Sequence, residues 1–396
     1  MKSYESLRMR EIPFSGIRKV FEKVGAMRSQ GRSVVSFHIG RPDFDTPAHI
    51  KEAAKGALDA GLTAYTSNFG LLELRQAIAA TLARDSDLHV DPERQVIVTV
   101  GANEAILIAM LATLNPGDEV LIPDPMWLHY LYCARLAAAH VVSVPLSESN
   151  EFQLDPDDLE RRITKHTRMV VLNSPHNPTG AVFTRETIEA VADMVYRHGL
   201  LLLSDEIYDR IIYDDAQPTS PGTFEHIADQ TLTVNGFSKT YAMTGWRLGY
   251  VVGSPELIGS LIRVHQYTTV CATSFAQAGA VAALTGPQDC VTSMVSEFDR
   301  RRRRIVETFE AMPGASLVTP KGAFYAFPNI RALGASSREL ASELLEQGGV
   351  ALVPGSAFGQ YGEGYLRIAY SCSLSDVERG MATMKDHFGK MMAARS

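Results

Sequence analysis

This chain of 396 residues has no cysteine pair, no histidine cluster and no long apolar run. Its four cysteines, Cys133, Cys271, Cys290 and Cys372, show no CxxC spacing. That pattern leaves them as unpaired thiols of a reducing compartment and supplies no metal ligand set. Nowhere do about 18 apolar residues follow one another without a charge, so no membrane span is expected. Met1 to Phe21 mixes charges with single apolar residues and lacks the hydrophobic centre of a signal peptide, which makes the cytoplasm the expected location. Positive charge is also short: the net charge is -7, a field that favours neither nucleic acid nor an anionic membrane. The expected partners are small molecules. The one basic run, Arg300 to Arg304, follows a helix-like segment and is expected to form a solvated helix face.

At 45% hydrophobic and 21% charged residues the composition is that of a globular protein, and the length exceeds what one simple core accommodates. Between about residues 48 and 285, apolar runs of four to eight residues alternate with stretches of helical period, the mark of parallel strands joined by crossover helices. Strands are expected at Gln95–Val100, Glu119–Ile122, His140–Pro145, Arg168–Leu172, Leu200–Leu203, Thr231–Val234 and Leu248–Val252, with a helix at Ala102–Leu114. After about residue 287 the rhythm changes to a long charged helix, then strands at Gly322–Phe327 and Tyr365–Tyr370. The start of the chain holds a helical stretch, Ser15–Gly31, and a strand, Val34–Ile39, that cannot close a core alone. The expected fold is α/β: a large domain over 46–285 with a mostly parallel sheet and flanking helices, a smaller α+β domain over 286–396, and residues 1–45 as an arm and part of that smaller domain.

Lys239 stands just after the run Thr231–Val234, among small and hydroxyl residues, with Arg247 eight positions on. A desolvated lysine loses part of its preference for the ammonium form, so its neutral amine can attack a carbonyl carbon and form a Schiff base. A nearby arginine suits an anion, and an aldehyde that carries a phosphate would use both groups. Three further stretches stand beside this one: Asn173–Gly180, Ser204–Tyr208 and Gly364–Ile368. Taken alone, Asn177-Pro178-Thr179-Gly180 is a turn signature. Together with Gly40–Pro47, and in this order over nearly the whole chain, the stretches resemble the class I/II pyridoxal-phosphate aminotransferases of fold type I, in the branch of the aspartate, alanine and aromatic enzymes.

The resemblance implies pyridoxal 5'-phosphate as cofactor and assigns roles by position. Lys239 forms the Schiff base and Asp205 meets the ring nitrogen, through a charge-assisted hydrogen bond worth roughly 1.5–3 kcal/mol. Asn177 and Tyr208 donate to the ring's phenolic oxygen, and Trp127 stacks on the ring. Gly101, Ala102 and Asn103, between a strand and a helix, offer backbone N–H groups to the phosphate, with Arg247 and Ser238 beside them. The sequence departs here from many relatives, which carry a serine where this chain has Gly236. Tyr65 matches a tyrosine that reaches the neighbouring subunit's cofactor, so the resemblance implies a homodimer. Arg367 clamps the substrate α-carboxylate bidentately, with Asn177 beside it, and Gly40 lets the substrate approach the backbone. Cis peptides are expected at Asp124-Pro125 and Asn177-Pro178. The segment Ile12 to Ile17 is expected to fold over the entrance. His129 and His176 receive no role.

The implied activity is transamination between an amino acid and a 2-oxo acid by a ping-pong mechanism, Lys239 acting first as electrophile carrier and then as base. Other reactions on the same scaffold stay open: β-elimination by a C–S lyase, a cyclising synthase, or a decarboxylating or oxidising variant. A cofactor-binding transcription regulator would need a DNA-binding domain ahead of the fold, and the chain begins almost at the fold. Strict aspartate enzymes of a sister branch use an arginine from the segment equivalent to 263–274. Here 266–274 has none, and the lip Ile12-Pro13-Phe14 is apolar. The expected amino donor is therefore neutral, aromatic or aliphatic, with a dicarboxylate as common acceptor.

Overall fold

In the computed structural model, residues 4–14 and 16–395 are described. In chain order the strands are β1 (Val35–Ser36), β2 (Val96–Thr99), β3 (Glu119–Asp124), β4 (His140–Pro145), β5 (Thr167–Asn173), β6 (Leu201–Asp205), β7 (Thr231–Gly236), β8 (Gly249–Val252), β9 (Tyr325–Ala326), β10 (Val350–Ala351), β11 (Val353–Pro354) and β12 (Leu366–Ala369). Seven of them form one sheet in the order β2-β8-β7-β6-β5-β3-β4. β8 runs antiparallel to both its neighbours and the remaining pairs are parallel. The sheet is mostly parallel, as its uninterrupted apolar runs require of strands covered on both faces. Helices such as Ala102–Thr113, Arg185–His198 and Pro255–Thr268 supply the cover.

Register decides what the sheet delivers to its carboxyl edge. Asn173, the last residue of β5, lies opposite Asp205, the last of β6, and Asp205 lies opposite Val234 of β7. β5 and β6 thus end in line and β7 runs two residues further, and the loops that leave the three strands carry the Asn177, Tyr208 and Lys239 stretches. Open α/β sheets take ligands at this edge. Among the described residues three X–Pro bonds are cis: the two expected, Asp124-Pro125 and Asn177-Pro178, and also Ser174-Pro175.

The second group of elements joins both ends of the chain. β1 pairs in parallel with β10, and β12 lies between β11 and β9. One apolar core links Val35 and Phe37 with Phe298, Leu340 and Phe388, and continues into Ile207, Tyr208 and Ile211. Two expected strands are shorter than their apolar runs. Over Gly322–Phe327 only Tyr325–Ala326 is strand, because Ala323 takes a positive φ of 57° and donates its N–H to Ile211 O. Beyond Ser36 the His38 and Ile39 carbonyls accept from the side chains of Arg367 and Ser371 instead of from a strand. The helix expected over Ser15–Gly31 spans Gly16–Ser29, and residue 15 lies outside the described residues.

The basic run corrects the expectation of a wholly solvated face. Arg300, Arg303 and Arg304 are exposed, whereas Arg301 and Arg302 are buried in the helix Asp289–Glu310. Arg301 bonds Asp43 at 2.7 Å and Glu297 at 3.0 Å, and Arg302 bonds Asp299 at 2.7 Å and Asp214 at 2.9 Å. Their planar heads lie over Phe44 and Tyr213. The burial is tolerable because each cation meets two carboxylates. Arg302→Ala should therefore lower stability by about 2–3 kcal/mol, and Arg303→Ala by less than about 0.5 kcal/mol. Urea denaturation checks this, and equal midpoints for the two variants would show that the buried pair contributes nothing special.

Candidate active site

A cavity of about 250 Å³ opens at the carboxyl edge of the sheet, lined by Gly40, Ala102, Asn103, Trp127, Asn177, Asp205, Tyr208, Ser238, Lys239, Arg247 and Arg367 among others. These eleven residues come from loops after separate strands and from the chain's first and last quarters.

Lys239 is half-buried on the cavity floor, where its Nζ donates to Gly40 O at 2.7 Å. Burial, and then the charges of Arg367 and Arg247, lower its pKa to about 8. Asp205 is buried on the same floor. It accepts from Tyr130 Oη at 2.7 Å and from Ile207 N at 3.2 Å, and its carbonyl accepts from Asn173 Nδ2 at 3.0 Å. Burial raises its pKa to about 6 against the opposing effect of the Tyr130 bond. The Tyr208 hydroxyl shares a 2.8 Å hydrogen bond with that of Tyr325, and burial holds Tyr208 as a neutral phenol. Asn177 is fixed by its own N–H, which donates to Asn173 Oδ1 at 3.0 Å.

Arg367 is buried, its guanidinium sandwiched between the rings of Tyr325 and Phe358 at 4.7 and 4.9 Å. It donates from Nη1 to Asn177 Oδ1 at 3.3 Å and from Nη2 to His38 O at 2.9 Å, while its buried Nε has no partner. At the far end of the cavity Gly101 turns the chain from β2 into the helix Ala102–Thr113 with φ 79°. A Cβ there would lie 2.5 Å from Arg247 Nη2, so glycine lets the guanidinium close on the helix N-terminus. Arg247 itself is exposed and donates to Thr244 O at 3.1 Å. Gly236 lies in β7, where a Cβ would meet Gly249 Cα at 2.9 Å, which leaves no room for a serine without movement of the backbone. Ser238, by contrast, lines the cavity.

Trp127 stacks on His129, with ring centroids 4.7 Å apart, and His129 Nε2 meets Asn103 O at 2.9 Å. His176 is buried and bonds Thr179, with its pKa lowered to about 3 by burial. Of the residues expected at the site, two do not line this cavity: Gly101 packs behind Arg247, and Tyr65 is 86% exposed. Residues 12–14 of the expected lid lie in an exposed stretch, with Phe14 81% exposed, and residue 15 is not described. Sequence reasoning missed Tyr130, Tyr325, Asn173 and His38. Tyr130 was findable, three positions after Trp127 in the first turn of the helix His129–Leu136. Tyr325 and His38 carried no local signal.

The family model described as aminotransferase class I and II matches residues 32–383. An aspartate aminotransferase of Pyrococcus abyssi is 43% identical over 373 residues, 94% of this chain and 95% of that protein. An aromatic-amino-acid aminotransferase of Thermococcus litoralis is 42% identical, again over 94% of this chain and 95% of its own length. Among solved structures, the aspartate aminotransferase of Thermus thermophilus with maleate superposes with a TM-score of 0.93 at 37% identity, covering 98% of this chain and all of that one. With nearly its full length aligned to such relatives, the chain belongs to the class I and II aminotransferases.

Proposed function

We propose that Lys239 is the catalytic residue of a pyridoxal-phosphate-dependent transamination between an amino acid and a 2-oxo acid, with the cavity residues in the roles that follow. The observation that carries the reading is the Lys239 amine, lowered to about 8 and set in one cavity with Asp205, Arg247 and Arg367. The residues fit the family's cofactor: Arg247 and the N-terminal N–H groups at Ala102 and Asn103 make an anion cradle closed over Gly101, and buried Asp205 offers a carboxylate to a ring nitrogen. When bound, the cofactor supplies a carbonyl carbon for amines and a ring that withdraws electrons from the substrate Cα. Asp205 would keep the ring nitrogen protonated, Asn177 and Tyr208 would donate to the phenolic oxygen, and Trp127 would pack against the ring. Arg367 holds the substrate α-carboxylate through its fork, including the unpartnered Nε. Lys239 Nζ, as the neutral amine, would serve as the base that takes the proton from the substrate Cα. Both half-reactions share this site, which gives ping-pong kinetics.

The active unit is proposed to be a cytoplasmic homodimer in which Tyr65 serves the partner's cofactor phosphate; the strong exposure of Tyr65 in the single chain supports this. Residues 46–285 are proposed as the cofactor-binding domain, with 1–45 and 286–396 as the smaller one, which the β1–β10 pairing supports. A neutral amino donor with a dicarboxylate acceptor fits the aromatic lining from Trp127, Tyr208 and Tyr325. It also fits Arg263, exposed and turned back on its own helix to Ser260.

Lys239→Ala should reduce transamination by about three orders of magnitude or more while the circular dichroism spectrum stays native; near-normal turnover would end the reading. With the amine at about 8, roughly a tenth is neutral at pH 7, and the fraction rises with pH. Uptake of pyridoxal phosphate by the apoprotein should accordingly quicken with pH and level off above about 8. A rate that still climbs at pH 10 would mean an unshifted lysine. Mixing inactive Tyr65→Ala and Lys239→Ala protomers should restore about a quarter of wild-type activity, since hybrid dimers regain one intact site; no recovery would place both residues in one chain's site. A panel of amino acids tests the donor, with conversion of aspartate alone as the outcome that excludes a neutral one.

A further inference from the structure

His38 is a buried residue of the cavity wall to which none of these roles is given. It is 1% exposed, and neither ring nitrogen has a hydrogen-bond partner. Buried imidazoles ordinarily satisfy at least one nitrogen. His49, His265 and His387 each leave one buried nitrogen unmet, and among the described residues His38 leaves both. Its ring meets Phe21 edge-on, with centroids 4.7 Å apart, and Phe21 lines the same cavity and is 44% exposed. His38 and Phe21 thus line the cavity side by side.

The surroundings select the ligand's charge. Arg367 donates to the His38 carbonyl, and Arg28, bound to Val34 O and Ser36 Oγ, adds a second positive charge felt by His38. Together with burial, these two guanidinium groups hold the imidazole neutral, with a pKa of about 4. A neutral ring in a positive local field is an N–H donor suited to an anionic acceptor. The adjacent Arg367 has an unmet donor of its own in Nε. Two neighbouring sets of unmet donors match a ligand with two acidic ends.

We propose that His38 is a specificity-determining residue whose imidazole donates to the distal carboxylate of a short dicarboxylic amino or oxo acid held at its α-carboxylate by Arg367. The proposal rests on the reading of Arg367 as the carboxylate clamp. It supplies the contact that the arginine-free segment 266–274 leaves open, while the neighbouring Phe21 ring lets the same pocket take an uncharged side chain.

The test uses the cofactor-loaded enzyme and equilibrium binding of two unreactive acids: succinate, with two carboxylates, and 3-phenylpropanoate, with one. His38→Phe, which keeps an aromatic ring and removes both nitrogens, should weaken succinate about tenfold or more and leave 3-phenylpropanoate within about twofold. His38→Asn, which keeps an N–H donor, should hold succinate within about threefold of wild type. It also serves if the phenylalanine variant fails to fold. Unchanged succinate binding in His38→Phe, or equal weakening of both acids, overturns the proposal, as does a loss of succinate binding in His38→Asn as large as that expected for His38→Phe. Arg367→Ala reports separately on the clamp: it should weaken both acids, and unchanged binding there overturns the clamp itself together with what rests on it.

Discussion

Desolvation of one amine governs this site. An ammonium group in water would hold its proton and could not attack a carbonyl, and the cavity floor removes that advantage by surrounding Lys239 with protein and placing two arginines near it. The same burial that lowers Lys239 raises Asp205, so the two groups approach one another in proton affinity, at about 8 and about 6. Groups poised in this range exchange protons near neutral pH. Much of the surrounding structure serves to make that burial tolerable, since a buried charge without donors or a countercharge costs several kcal/mol.

The countermeasures are visible as a chain of bonds. Tyr130 and the Ile207 N–H hold the Asp205 carboxylate, and Asn173 ties the Asp205 carbonyl to the Asn177 backbone. Asn177 then accepts from Arg367, whose other arm reaches back to the His38 carbonyl. The large sheet and the smaller C-terminal sheet are thus joined through polar contacts at the cavity and through the continuous apolar core around Ile207 and Phe324. Tyr325 closes the ring, with one face on Arg367 and its hydroxyl on Tyr208. It also explains Gly40, where a Cβ would collide with the Tyr325 hydroxyl.

Most of the sheet was legible because its strands are short apolar runs between turn signals, and the strand at His140–Pro145 has the bounds its sequence suggests. The motif residues were legible as an ordered set, most of them at or just after the end of a strand, with Arg367 inside one. Gly322–Phe327 misled because apolar content says nothing of a residue held at positive φ, as Ala323 is. Arg301 and Arg302 misled because whether a charged helix residue is buried depends on partners such as Asp43 and Asp214, remote in the chain.

The sequence by itself determined the alternation of strands and helices and the family to which the chain belongs, and it singled out Lys239 as the candidate nucleophile, because these rest on local periodicity and on motifs a few residues long. Tertiary structure alone decided the proton affinities of Lys239 and Asp205, the bond from Tyr130 to Asp205, and the meeting of His38 with Arg367 across 329 positions. Those properties depend on which groups face one another after folding and on how much water is excluded between them, and neither quantity is written in the order of neighbouring residues.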